Sequence, residues 1–342
     1  MNKKSLIVAG TIAGTYLLIA SIVVAAVLAL EYSKPPVRPS GQYREYTAPP
    51  DTGNDNTAIL QVPPQTTSDR GSLLRPPART NFLFVGIDNN NLADAIMVGT
   101  FYRDSGEIRL MSVPRDMYTH IPPHRLQQMQ ADGLRPPATL KINAIRAFGG
   151  RTHGLRYLEE QLGEMLGVQF HYHVEVELAA FRRIVDAIGG VTMYIPHRFR
   201  YSDPDQGLLI DIPAGYQHLD GHMAEGVVRF RSFPTGDLMR NTMQMEFMSQ
   251  LIRQAATRDA VMNDPLALAR IVLSDVRTNA SVVELARYVP YISRISADSV
   301  QTFTMPGSGQ YRNGISWFIP DASVLPEVIA QVFYANPGED NE

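Results

Sequence analysis

The chain has 342 residues and no cysteine, so disulfides and zinc sites built on thiolates are excluded. The formal net charge is −3, which argues against a protein held on nucleic acid by a global basic field. Hydrophobic residues make up 44% of the chain, enough to bury one sizeable core or two smaller ones.

An uncharged stretch near the N-terminus, residues 5–30, predicts a membrane span. It is rich in Leu, Ile, Val and Ala and is long enough to cross a hydrocarbon core of about 30 Å as a helix. A cleaved signal peptide has an apolar region of roughly 7–15 residues, so the greater length favours an uncleaved signal anchor. Lys3 and Lys4 precede the stretch, and Glu31 follows it. The positive-inside bias therefore places residues 1–4 in the cytoplasm and everything after Leu30 outside the cell membrane.

Residues 31–79 contain nine prolines, with Ser, Thr, Gly, Asn and Asp between them. Such a composition cannot bury enough apolar surface to offset the entropy of ordering it. We therefore expect a semi-extended linker with a coil-like reach of about 40 Å. The folded domain is predicted to span residues 80–336, and residues 337–342 are expected to form a disordered tail.

The pattern from residue 81 onward predicts an α/β domain. A short buried strand over 81–85 is followed by a hairpin over 95–103 and 107–113, joined by Asp104-Ser105-Gly106. Period-3.6 patterns then alternate with further apolar strands, which favours a mixed central β-sheet covered by helices on both faces. The further predicted strands are 191–195 and 300–305, and the predicted helices are 153–166, 179–188, 221–228, 237–257, 265–275, 282–293 and 323–333.

Two carboxylates are predicted to lie at one edge of the sheet. Asp88 follows the first strand, and Asp94 begins the next one six residues later. Two carboxylates on a short loop can hold Mg²⁺, which prefers oxygen ligands and keeps water and substrate phosphates in its other positions. The alternative is that Asp88 caps a turn with Asn89 and Asn90, because such residues dominate turns.

Several cationic and polar residues complete the candidate set. In an extended segment, the side chains of Arg229 and Arg231 would point to the same face. Their planar guanidinium groups suit phosphate oxygens. Arg240 and Gln244 share one face of the helix that Asp237 is expected to open, although Asp237 alone fits a helix cap equally well. For an isolated Arg-x-Arg pair, a solvated surface or a structural ion pair is the default alternative.

These residues belong to an ordered set of short motifs. In chain order, the motifs are Gly86-Ile87-Asp88, Asp94, Val113-Pro114-Arg115-Asp116, Lys141-Ile142-Asn143-Ala144, Asp186 through Val191, Leu219-Asp220-Gly221, Arg229-Phe230-Arg231, and Asp237 through Gln244. Each motif is weak alone, but the ordered set behind a signal anchor is specific. The set resembles the LytR-CpsA-Psr family of cell-wall glycopolymer ligases, and the match covers residues 81–254.

The resemblance implies a phosphotransferase that moves a glycopolymer from a polyprenyl diphosphate carrier to a hydroxyl of peptidoglycan. It implies that Asp88 and Asp94 hold Mg²⁺, or Mn²⁺ in its place, beside the diphosphate. The residues implied to clamp the diphosphate are Arg115, Lys141, Arg229, Arg231, Arg240 and Gln244. Asp88, Asp94, Arg115 and Arg229 are the implied catalytic residues, and either aspartate is a candidate general base.

The sequence departs from the family around its second aspartate. The family usually has Arg-Ser-Asp-Thr there, whereas this chain has Leu92-Ala93-Asp94-Ala95. One phosphate-directed arginine and one hydroxyl are therefore missing. This departure favours one alternative, a binder of lipid-linked glycans without activity, and a hydrolase of the same donor is a second alternative. A transcriptional attenuator is disfavoured because the domain is predicted outside the membrane and shows no recognition-helix pattern.

Overall fold

A computed structural model describes residues 76–336 except 89–91, 205–207, 231, 234–236, 257–270, 272–273, 293 and 313. The predicted signal anchor, most of the predicted linker and the predicted tail lie outside these residues. Within the described part of the chain, no helix combines the length and the apolar character that a bilayer crossing requires.

A six-stranded mixed sheet forms the centre of the domain, in the order β11-β6-β1-β2-β3-β12. Strands β1 and β2 are antiparallel, as are β2 and β3, whereas β1 and β6 are parallel, as are β3 and β12. The sheet strands are β1 (Arg79–Ile87), β2 (Ala93–Tyr102), β3 (Ile108–Ser112), β6 (Tyr172–Glu177), β11 (Val276–Thr278) and β12 (Val300–Thr304).

Helices cover both faces of this sheet, as the sequence predicted. They are α1 (Pro123–Ala131), α2 (Ile142–Leu166), α3 (Leu178–Ala187), α4 (Gly221–Arg229), α5 (Asp237–Ala255), α6 (Val282–Ala286), α7 (Val289–Ile292) and α8 (Leu325–Phe333). One core joins Leu83 and Val98 of the sheet to Leu158 of α2 and Ile329 of α8. On the opposite face, Met97 packs with Met245 of α5 and its neighbours.

Two-stranded sheets flank the central sheet. They are formed by β4 (Tyr118–His120) with β5 (Thr139–Lys141), β7 (Val191–Ile195) with β10 (Gly215–Leu219), β8 (Phe199–Asp203) with β9 (Leu208–Ile212), and β13 (Gly307–Arg312) with β14 (Ile315–Pro320). Residues from β7, β8 and β9 form a second core with α3, α4 and α5. Its aromatic centre stacks Phe199 on Phe230 with ring centroids 4.3 Å apart.

A β-bulge interrupts the pairing of β1 with β2 beside the predicted site. Gly86 pairs with Ala95 and Ile87 pairs with Ala93, so Asp94 is the additional residue. Along a regular strand, alternate residues share a face. Here Ala93 and Ile96 both enter the core under α2, while Asp94 and Ala95 both line a pocket on the other side. The bulge thus turns Asp94 away from the core.

Some predicted elements differ from the observed ones. The helix predicted over 153–166 begins at Ile142 and continues through a kink at Gly150, which has φ 57° and ψ −157°. The helix predicted over 282–293 is two short helices, since Pro290 offers no N–H for a continuous one. The helix predicted over 265–275 lies largely outside the described residues.

Candidate functional site

Four of the predicted site residues meet at an open pocket between the sheet and α3, α4 and α5, which spans about 590 Å³ when the space open to solvent is counted. Asp88, Asp94, Arg229 and Gln244 supply the charged and amide groups of its lining. The other lining side chains are mainly apolar, namely Phe84, Ile87, Ala95, Met97, Val176, Leu178, Phe181, Val228, Phe247 and Met248. The pocket therefore combines a large apolar surface with a few convergent polar groups.

Asp88 continues the alternation of β1 and reaches the pocket directly after the strand ends. Its Oδ1 accepts the N–H of Leu92 at 2.9 Å, and its own N–H donates to the carbonyl of Leu92 at 3.1 Å. Asp88 therefore bonds to Leu92 across the loop and also lines the pocket. The hydrogen bond from Leu92 holds the carboxylate in a fixed direction.

Asp94 forms an ion pair with Arg115, which donates from Nη1 to Oδ1. The side chains keep 22% and 18% of their exposure, so solvent still screens the pair. The carbonyl of Arg115 accepts the N–H of Asn143 at 3.3 Å, which anchors the arginine to the start of α2. Arg115 itself does not line the pocket, and it reaches the site through Asp94.

Arg229 ends α4, so the predicted extended segment was wrong at this residue. The helix ends at Arg229 because the next residue, Phe230, is extended and buried in the second core. A cation in the last turn is favourable at the negative end of the helix dipole. Arg229 donates to Oε1 of Glu225 at 2.8 Å, and Oε2 of Glu225 lies 3.2 Å from Arg182. Arg231 lies outside the described residues.

Glu225 was missed by the sequence analysis, although its i, i+4 spacing to Arg229 is a recognisable signal. Gln244 holds the same helix end, because its Nε2 donates to the carbonyl of Val228 at 2.9 Å. Carbonyls in a last helical turn have no partner within the helix, so this bond satisfies one of them. Together these contacts fix the direction of the Arg229 guanidinium.

The motif residues before α4 are structural anchors. Asp220 caps α4 by accepting the N–H of Met223 at 2.8 Å, and Asp186 accepts the N–H of Gly221 at 2.7 Å. A Cβ on Gly221 would lie 2.3 Å from the carbonyl oxygen of Arg182, so glycine permits this close approach of α3 and α4.

Lys141 and Arg240 lie near the site without lining the pocket. Lys141 ends β5, and its Nζ lies 3.1 Å from Oδ1 of Asp116. Nε of Arg115 lies 4.0 Å from the same oxygen, so Asp116 links both cations. Arg240 on α5 is buried, with 2% of its surface exposed. The structure therefore assembles one compact group of Asp94, Arg115, Asp116 and Lys141 beside the pocket.

Asp88 and Asp94 line the same pocket, and these two residues could supply oxygen ligands to a metal ion. Within the described residues, no cluster of three or more His, Cys, Asp or Glu side chains suits a metal ion. Two carboxylates fit Mg²⁺ when substrate phosphates and water complete its coordination.

The fold and the pocket define a class of protein that can hold an amphiphilic ligand. The apolar part of such a ligand would contact Phe84, Phe181 and Phe247, and its anionic group would lie near Arg229. The profile of the LytR_cpsA_psr family matches residues 56–333, and the chain belongs to this family.

Relatives are similar over most of this chain. An uncharacterized protein of Staphylococcus aureus (strain NCTC 8325 / PS 47) is 27% identical over 261 residues, and TagV of Bacillus subtilis (strain 168) is 25% identical over 259 residues. Each alignment covers 72% of this chain, but only 59% and 62% of the two relatives. TagV is named a polyisoprenyl-teichoic acid–peptidoglycan teichoic acid transferase.

Solved structures share the fold. The crystal structure of B. subtilis TagV has a TM-score of 0.62 and 21% identity, and the match covers 77% of this chain and 100% of TagV. TagT bound to LIIa-WTA has a TM-score of 0.59 and 25% identity, with coverage of 75% of this chain and 90% of that one.

Proposed function

We propose that this chain transfers a glycopolymer, with its phosphate, from a polyprenyl diphosphate carrier to a hydroxyl of peptidoglycan. The observation that supports this proposal most directly is that Asp88, Asp94 and Arg229 line one mainly apolar pocket, with Arg115 paired to Asp94. The apolar lining suits the polyprenyl chain, and the charged groups suit the diphosphate. The transferase names of relatives such as TagV support the same reaction.

We propose Mg²⁺, or Mn²⁺ in its place, as the cofactor held by Asp88 and Asp94. When bound, the ion would neutralise charge on the phosphoryl oxygens of the donor. Asp88 suits this role because its hydrogen bond from Leu92 fixes the carboxylate, and Asp94 suits it because the bulge turns the side chain into the pocket.

In the proposed reaction, the oxygen of an acceptor hydroxyl attacks the sugar-bearing phosphorus of the donor. A new P–O bond forms, the bridging P–O bond to polyprenyl phosphate breaks, and polyprenyl phosphate leaves. Arg229 and Arg115 stabilise the charge that develops on the phosphoryl oxygens. Asp88 or Asp94 takes the hydroxyl proton. Glu225 acts as a positioning residue because it holds the Arg229 guanidinium.

We further propose that residues 5–30 anchor the chain in the cell membrane with the folded domain outside the cytoplasm. The proposal rests on Lys3 and Lys4 before the apolar stretch and on the lipid nature of the proposed donor. Protease added to intact protoplasts should remove nearly the whole chain after Leu30. Protection of the folded domain would contradict this topology.

A second candidate function is binding of the lipid-linked glycan without transfer, or with water as acceptor. Leu92 and Ala95 favour it, because the family usually has an arginine and a threonine at these positions. The test incubates the full chain in detergent with a synthetic polyprenyl diphosphate oligosaccharide, with and without peptidoglycan strands. A peptidoglycan-linked phosphodiester supports transfer, free oligosaccharide phosphate indicates hydrolysis, and an unchanged donor would contradict both activities.

A further inference from the structure

A hairpin beside the site presents an exposed face of rings and polar groups that no role described above uses. Strands β13 and β14 pair from Gly307 with Pro320 to Arg312 with Ile315, and every residue of β13 is exposed. Residues directly opposite in an antiparallel pair share a face. Gln310 is opposite Trp317, so these two lie on the same side as Arg312 and Ile315. We call these four residues, together with Tyr118 packed against them, the Trp317 face.

The groups of the Trp317 face hold one another in place. The rings of Trp317 and Tyr118 meet edge to face with centroids 5.4 Å apart. The Arg312 guanidinium lies over the Tyr118 ring at 5.5 Å, and its Nη2 donates to Oε1 of Gln310 at 3.1 Å. Two rings, a guanidinium fork and an amide thus form one preorganised and partly exposed surface.

This face is continuous with the site. The N–H of Phe318 donates to the carbonyl of Asp116 at 2.9 Å, and Met117 bridges to Phe318. Tyr118 pairs with Lys141 across β4 and β5. The hairpin is therefore attached to the segment that carries Arg115 and Asp116. A polymer bound along the hairpin would lie within a few residues of the proposed catalytic site.

The rings and polar groups of the Trp317 face suit a sugar polymer. A pyranose ring has an apolar C–H side that packs on an aromatic ring, and hydroxyls around its rim that pair with amide and guanidinium groups. The Trp317 face offers both kinds of contact and carries no carboxylate, so it does not suit a cationic peptide. We propose that the Trp317 face is the subsite that holds the glycan strand of the acceptor. This assignment rests on the proposed function and deepens it.

The single tryptophan of the chain makes the proposal directly measurable. The full chain in detergent is titrated with soluble peptidoglycan glycan strands, without any lipid-linked donor, while Trp317 emission is followed. We expect a saturable change. Arg312→Ala and Tyr118→Ala should each raise the Kd about tenfold. Arg312 is exposed, so its replacement leaves the core intact.

Tyr311→Ala is the matched control. Tyr311 is 82% exposed and lies opposite Ser316, on the other face of the same hairpin, so its loss should leave the Kd unchanged. No saturable emission change, or equal binding by all three variants, would overturn the subsite. A response to phosphatidylglycerol vesicles in place of glycan would assign the face to the membrane and would also overturn it.

The same experiment separates the subsite from the proposed function. The binding titration contains no lipid-linked donor, so it reports on the Trp317 face without depending on transfer in the donor pocket. Glycan binding on this face with no transfer by the wild-type chain would keep the subsite and contradict the transferase. Transfer by the wild-type chain, together with an acceptor KM that Arg312→Ala leaves unchanged, would support the transferase and contradict the subsite.

Discussion

Replacing Asp94 by asparagine tests whether this carboxylate acts on the reacting phosphates or only holds Arg115. Asparagine preserves the volume of the side chain and removes its charge. The bulge that directs residue 94 into the pocket is a property of the backbone register, so it should persist. The substitution therefore changes the charge at the site while leaving the pocket in place.

The expected losses of activity and of stability differ widely in size. Removing one group that stabilises a transition state typically lowers turnover by about 10²–10³-fold. The ion pair with Arg115 is partly exposed, and pairs of this kind contribute roughly 1 kcal/mol or less. For a domain of this size, that corresponds to a fall in Tm of at most about 4 °C. Activity should therefore collapse while the fold remains.

The assay compares transfer rates and thermal unfolding of the full chain in detergent, across a titration of Mg²⁺. Asp211→Asn is the control, because Asp211 also pairs with an arginine, Arg198, at 2.6 Å but does not line the pocket. It should retain wild-type turnover. Asp94→Asn should also need more Mg²⁺ for half-maximal rate. Wild-type turnover by Asp94→Asn, or a loss shared equally by Asp211→Asn, would refute this reasoning.

Three other predictions concern Leu92 with Ala95, Lys141, and His171. The double substitution Leu92→Arg with Ala95→Thr restores the usual family residues and should raise turnover, by at most about 10²-fold. An unchanged or lower rate would contradict a role for these two positions in stabilising the phosphates. Lys141→Arg should slow transfer, because a guanidinium does not replace the compact ammonium, and wild-type turnover would remove Lys141 from the site. Burial lowers the pKa of His171, whose Nδ1 accepts the N–H of Asn81 at 3.0 Å. Because the pKa is lower in the folded state, the unfolded chain binds a proton at His171 more readily, so the stabilisation is present above the ordinary pKa of about 6.5 and is lost as pH falls through the lowered pKa. The Tm difference between wild type and His171→Gln should shrink from pH 8 to pH 5, and a constant difference contradicts the assignment.

The sequence predicted the elements that carry a regular pattern. Asp88 was placed correctly after the first strand because the alternation of β1 continues into it. The helix predicted over 237–257 is observed from Asp237 to Ala255, and its start was placed correctly because Asp237 is a residue type that favours a helix N-terminus. Both predictions depended on local sequence signals, which do not require knowledge of tertiary contacts.

Features set by tertiary contacts were not predictable in the same way. Arg229 was expected in an extended segment, yet it is the last residue of α4, and the extended conformation begins only at Phe230, which is buried in the second core. The helix predicted over 153–166 was too short, because its apolar period did not reveal the preceding turns from Ile142 to Gly149, which join it across the non-helical Gly150. The hairpin of β13 and β14 was missed because β13 is exposed at every residue and so shows no apolar alternation.

The bulge at Asp94 makes the number of residues in this segment as important as their identity. Because strand side chains alternate with a period of two, deleting Ala93 would remove the bulge and restore a regular ladder. Asp94 would then take the place of Ala93 opposite Ile87, on the core face and away from the pocket. A scan of single substitutions would never reveal this dependence. Deletion of the Ala93 codon would, and it should inactivate the protein although every side chain of the site is retained.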